Sequence, residues 1–211
     1  MQVVVDNSAT LKRLGQVAVW SFELSVWGEC AQAVSEIEAL ESFGRRVGVS
    51  IHELHVQERI TGPAGLFAQD TAPATSERVG RTLEILDEQR ARTLALLDGA
   101  APDALDAADE RVEQPSWMAW RTPRQILHHI ADTEARAYPR WCGLPQLGEV
   151  DDLPTELVRS AAHIRDVILG MPPSFAVQHR RETWTPTKLL RRLAWHERVE
   201  LVYLRRRLRA D

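Results

Sequence analysis

From Thr75 onward, apolar residues recur three and four positions apart, the spacing of helices that bury one face. Before Thr61 they come in short runs and loose alternation. Val79, Leu83, Leu86, Leu94 and Leu97 mark a first helix from residue 75 or 76 to about 97, closed by Asp98 and Gly99. Arg90 falls on the same face, where a core residue is expected. Thr122 as N-cap and Pro123 at the first helical position open a second helix reaching about Trp141, with Gly143 and Pro145 behind it. A third spans residues 154–170, with Leu157, Ala161, Ile164 and Ile168 inward and Met171-Pro172-Pro173 as its stop. Thr185 and Pro186 open a fourth, whose stripe is Leu189, Leu190, Leu193, Leu201, Leu204 and Leu208. Four amphipathic helices with one long connection, residues 100–121, describe an all-α four-helix bundle over residues 75–211.

The N-terminal part reads differently. Val3, Val4 and Val5 before Asp6-Asn7-Ser8 predict a short strand and a turn. Residues 17–24 alternate loosely and predict a second strand, followed by a turn at Gly28. Val34, Ile37, Leu40 and Phe43 predict a helix over residues 31–47, with Ser35 as N-cap and Gly44 and Gly48 ending it. Residues 51–60 predict a third strand. The expected fold class is α+β overall: a small α+β unit at 1–60, a Gly- and Pro-rich linker at 61–74, then the bundle. Leu66 and Phe67 within the linker imply that it docks rather than floats.

Ionisable residues interrupt the helical stripes. On the fourth helix, His196, Glu197 and Glu200 fall on or beside the leucine face. On the second, Ile126, Ile130, Ala137 and Trp141 set the inward direction; Glu134 points inward, His129 lies at the edge and His128 points nearly opposite. Burying such groups costs several kcal/mol unless each finds a partner. Two partnerships are open. Arg90, Glu134 and Glu197 form a buried charge network that needs nothing else. His196 and Glu200, four apart on one face, converge with His129 on a divalent metal ion. Two imidazoles and one carboxylate leave coordination positions for water or substrate, as in reactive metal sites. A lone histidine beside an apolar face is more often a satisfied core residue than a ligand. His52, His55, His163 and His179 have no comparable context and read as surface or structural. Trp117, Trp120, Trp184 and Trp195 read as packing rather than a ligand cage. Cys142 is either a reactive thiol or a buried inert one.

Composition narrows the setting. With 211 residues, 44% hydrophobic and 27% charged, the chain has the balance of a soluble globular protein. A net charge of -4 argues against general nucleic-acid affinity. The basic tail Arg205-Arg206-Arg207-Leu208-Arg209 reads as cations complementing a helix C-terminus. Two distant cysteines, Cys30 and Cys142, point to a reducing, cytoplasmic setting. Neither a signal peptide nor a membrane-spanning run is evident, and no membrane partner is expected.

The second helix, with Trp120 before Arg121-Thr122 and then Leu127-His128-His129-Ile130-Ala131-Asp132-Thr133-Glu134, resembles that of the DinB-like four-helix bundles. The run from Trp184 and Thr185 through Leu189-Leu190-Arg191 to His196-Glu197 is similar to that family's fourth helix. The resemblance covers about residues 75–209. It implies a divalent metal (zinc, nickel, iron or manganese), with His129 and His196 at ligand positions. It also implies a small-molecule substrate, with a low-molecular-weight thiol as co-substrate of a transferase, and homodimers. Where the family has its last histidine this chain has Glu200, which can still ligate these metals but changes affinity and preference. Glu134, Glu197 and Arg90 would then orient ligands or relay protons around the site. Val26-Trp27-Gly28-Glu29-Cys30 and Glu38-Ala39-Leu40 resemble the HicB-like turn and helix, Trp27 standing at the usual proline. That resemblance implies an accessory domain. A metal-dependent enzyme and a non-catalytic binding or regulatory protein with a degenerate metal site are the two functions to separate.

Overall fold

A computed structural model describes residues 1–62, 65–108, 119–150 and 152–208. Residues 109–118 of the long connection, Trp117 among them, and Arg209 of the basic tail lie outside the described residues. The fold is mixed α+β. Its elements in order are β1 (Gln2–Asp6), α1 (Ala9–Arg13), β2 (Val17–Trp20), β3 (Cys30–Ala33), α2 (Glu36–Val47) and β4 (His55–Ile60). Then follow α3 (Ser76–Asp98), α4 (Pro102–Asp106), α5 (Pro123–Asp132), a π-helical turn (Thr133–Ala137) and α6 (Tyr138–Trp141). Last come α7 (Leu153–Gly170), β5 (Val177–His179), β6 (Glu182–Trp184) and α8 (Pro186–Leu208). The chain divides into two compact units, Met1–Thr82 with Pro172–Trp195, and Leu83–Met171 with His196–Asp211. Among the described residues no helix is long and apolar enough to cross a membrane.

In the first unit the strands lie in the order β3-β2-β1-β4. β1 runs antiparallel to β2, with Val5 opposite Val19, and parallel to β4. One face of this sheet, with Val3, Val5, Val17 and Val19, packs on Ala39 and Phe43 of α2. The other carries Val4, Ala18, Trp20 and Cys30, also buried. Because both faces are covered, β2 is apolar throughout, which is why its alternation is loose. Trp20 meets Trp195 edge to face, with ring centroids 5.5 Å apart. Arg191 lies over the Trp20 ring and forms a two-pronged ion pair with the fully buried Asp70. Gly28 has φ 79°, and a Cβ there would stand 2.6 Å from the Ala194 carbonyl oxygen, so only glycine fits. Phe67 is fully buried against Phe22, so the linker docks as expected.

Ser35 caps α2 by accepting from the Glu38 N–H, and Gly48 ends it in the left-handed conformation, both as expected. The helix starts later than predicted, however. Residues 30–33 belong to β3, because Ala31 pairs with Val19 and Cys30 with Trp20. Val34 and Ile37, which gave the helical spacing, are exposed. The third predicted strand begins only at His55, after a single turn over Ile51–Glu53. Helices α1 and α4 and the β5-β6 hairpin were not predicted; each is too short to carry a periodic pattern.

In the second unit Leu105, Ile126, Leu127, Ile130, Ala131, Leu153, Leu157, Leu201 and Leu204 form one core. Thr122 caps α5 through a reciprocal pair with Gln125. The predicted helix to Trp141 is present, but it widens into the π turn. Pro139 explains the widening: it has no N–H for the Ala135 carbonyl, and its ring would clash there. That carbonyl accepts instead from the Leu147 N–H, at 3.0 Å.

Candidate metal centre

The π turn carries Glu134 into the interior, where it is fully buried. One carboxylate oxygen, Oε1, lies 3.2 Å from Nδ1 of His196, and the other, Oε2, accepts from Arg90 at 3.0 Å. Arg90 also donates to Glu197 at 2.9 Å, to the Ser160 hydroxyl at 2.8 Å and to the Leu157 carbonyl. This one guanidinium therefore joins α3 to the π turn, α7 and α8. Thr93 adds a hydroxyl donated to Glu197 at 2.6 Å. Arg90, Glu134 and Glu197 are thus the buried charge network that the inward polar positions called for. Burial raises both carboxylic acids above their ordinary range, and Arg90 opposes that shift.

His129, His196 and Glu200 come together beside this network, each offering one ligand atom, all within 4.8 Å of one another. Nε2 of His129 is 3.1 Å from Nε2 of His196 and 3.7 Å from Oε1 of Glu200. Donor atoms about 2.1 Å from a tetrahedral ion lie about 3.4 Å apart, so these spacings bracket what such an ion needs. The tautomers point the same way. An N–H at Nδ1 of His196 satisfies Glu134, which leaves Nε2 with its lone pair toward His129. The Thr133 hydroxyl, 3.1 Å from Nδ1 of His129, can accept an N–H there and free the second Nε2 likewise. Two lone pairs facing each other at this distance call for a cation or a proton between them. Burial and the neighbouring His196 push His129 down to about 3, so the ring is neutral, as a ligand must be. Burial pushes Glu200 up to about 7, against a hydrogen bond from Trp120.

His196 and Glu200 are buried, while His129 is partly open to an adjoining cleft of about 380 Å³. The cleft is lined by Ala119, Trp120, Gln125, His128, His129 and Asp132. His128 stands apart from the ligand group, half-exposed, with Nδ1 2.6 Å from Glu156. Glu156 in turn pairs with Arg136, a partly buried link that no periodicity announced. Trp120 also belongs to the site, although the sequence read it as packing. Its position two residues before the N-cap of α5 was the signal. Cys142 and Cys30 are both buried. His52 and His55 are exposed. Compared with known proteins, the chain matches no family model, no curated protein and no solved structure.

Proposed function

We propose that this protein is a divalent-metal-dependent enzyme of the DinB-like four-helix-bundle kind, acting as a thiol-dependent transferase or a hydrolase. Residues 75–209 are read as the bundle and residues 1–60 as an accessory HicB-like unit. The convergence of His129, His196 and Glu200 carries this reading. His129, His196 and Glu200 would hold the ion. When bound, it supplies Lewis acidity that turns a thiol or water into a nucleophile near neutral pH. Glu134 fixes the His196 ring and its tautomer, and Arg90 holds Glu134 in place. The cleft beside His129 admits a small molecule and is the route by which a thiol would enter. Only two cysteines, both buried, favour a reducing, cytoplasmic setting.

The Arg90–Glu134–Glu197 network, in which one guanidinium pairs both carboxylates, favours a second reading, a non-catalytic binding protein with a degenerate metal site. Metal analysis of protein purified without a histidine tag separates the two. The enzyme reading expects about one divalent ion per chain and a rise in melting temperature on adding that ion. The cobalt-loaded protein, titrated with a small thiol, should then develop a sulfur-to-cobalt charge-transfer band. Absence of any metal uptake would leave the second reading standing.

A further inference from the structure

Trp120 touches two of the three candidate ligands. Its indole lies nearly parallel to the His129 ring, with centroids 3.5 Å apart and planes 23° apart. Its Nε1–H donates to Oε2 of Glu200 at 3.3 Å. The backbone that follows Trp120 is anchored. The Arg121 and Thr122 N–H groups both donate to Oε1 of Gln125, at 2.6 and 3.2 Å, and the Thr122 hydroxyl accepts from the Gln125 N–H. The chain directly after Trp120 is therefore fixed to the first turn of the helix that carries His129.

We propose that Trp120 is the positioning residue of this site, holding Glu200 as a one-oxygen ligand and the His129 ring in its ligating plane. This rests on the metal-site reading above. A carboxylate can ligate through one oxygen or both. With Oε2 engaged by the indole, only Oε1 faces His129, and the coordination position that Oε2 would fill stays free. The same indole covers the His129 ring and lines the cleft, so an incoming ligand passes beside it to reach that position. Trp120 thereby keeps one site both open and fixed, although it contributes no ligand atom.

The test loads wild-type protein, Trp120→Phe and Trp120→Ala with cobalt(II). Binding is read by competition with a chromophoric chelator, and coordination by visible absorption. Phenylalanine keeps a ring on His129 and removes the donor. Glu200 should then ligate through both oxygens, and the d–d bands should weaken as the coordination number rises, with affinity changed less than about tenfold. Alanine also frees the His129 ring and should weaken binding by about tenfold or more, as for other groups that orient ligands. Thermal melts show whether the alanine variant folds; the phenylalanine spectrum decides the matter if it does not. Unchanged spectra and affinities in folded variants of a cobalt-binding wild type would overturn the role of Trp120 and leave the metal site intact. No cobalt uptake by the wild type overturns both.

Discussion

Glu134 holds the Nδ1 edge of His196 across 3.2 Å, and its other oxygen is held by Arg90. A carboxylate there raises the basicity of the ring and selects the tautomer with a free Nε2. Glu134→Gln keeps the shape and removes the charge. Metal affinity should fall about 10- to 100-fold, with the fold retained. Chelator competition measures this, and equal affinities would remove Glu134 from the site.

Arg90 donates hydrogen bonds to both Glu134 and Glu197. Arg90→Met fills much of the same volume but strands two buried carboxylates. Removing one partner of a buried pair costs about 3–5 kcal/mol. Urea unfolding of the metal-free protein should show a loss of that order. A loss under about 1 kcal/mol would mean that water or protons already satisfy these acids.

Glu200 stands where the DinB-like reading proposed above expects a third histidine. If Glu200 is a ligand, Glu200→His completes a three-imidazole set and should tighten zinc binding, whereas Glu200→Ala should weaken it sharply. His196→Ala should abolish binding. His128→Ala should leave it unchanged, because His128 bonds to Glu156 and stands outside the ligand group. Similar behaviour of the two histidine variants in metal titrations would contradict the geometry.

Much of this site was legible because helices repeat. Periodicity placed His129 at the edge of a face, His128 away from it, and Arg90, Glu134, Glu197 and Glu200 inward. It could not show that Pro139 widens the helix at Glu134, because a proline this far inside a helical pattern reads as a local kink or an end. Nor could it show Trp120 over His129, a contact made by extended chain. In the first unit, capping chemistry at Ser35 and Gly48 marked the ends of the helix core well. Val34 and Ile37 misled, since exposed apolar residues mimic a buried stripe. The packing of Trp20 on Trp195 and the Asp70–Arg191 pair join residues more than a hundred positions apart, and no local pattern encodes them.

Gly28 couples a turn to close backbone approach. Gly28→Ala demands both a positive φ from an L-residue and room where the Ala194 carbonyl stands. Each requirement costs about 1–3 kcal/mol. Thermal melting of G28A should show strong destabilisation. Gly48→Ala has the strained φ but open space around it, and should lose less.

Cys30 gives a pH dependence whose sign is fixed by burial. Desolvation raises its thiol far above the ordinary range, although Arg192, Arg191 and Arg46 pull the other way. An unfolded chain ionises this thiol at about 8.5. Between that value and the higher native pKa, the native state binds the extra proton, so stability must fall as pH rises. By pH 10 this single group should remove ~2 kcal/mol relative to neutral pH. Urea midpoints measured from pH 7 to 10 should decline, and Cys30→Ala should flatten the decline while leaving the neutral midpoint less affected. Iodoacetamide offers an independent check on the same thiol. An exposed cysteine reacts about tenfold faster per pH unit below its pKa. Native Cys30 should instead react only through unfolding, at a rate that follows stability. Rapid modification of Cys30 in folded protein at pH 8, located by peptide mass, would show that the thiol is not sequestered.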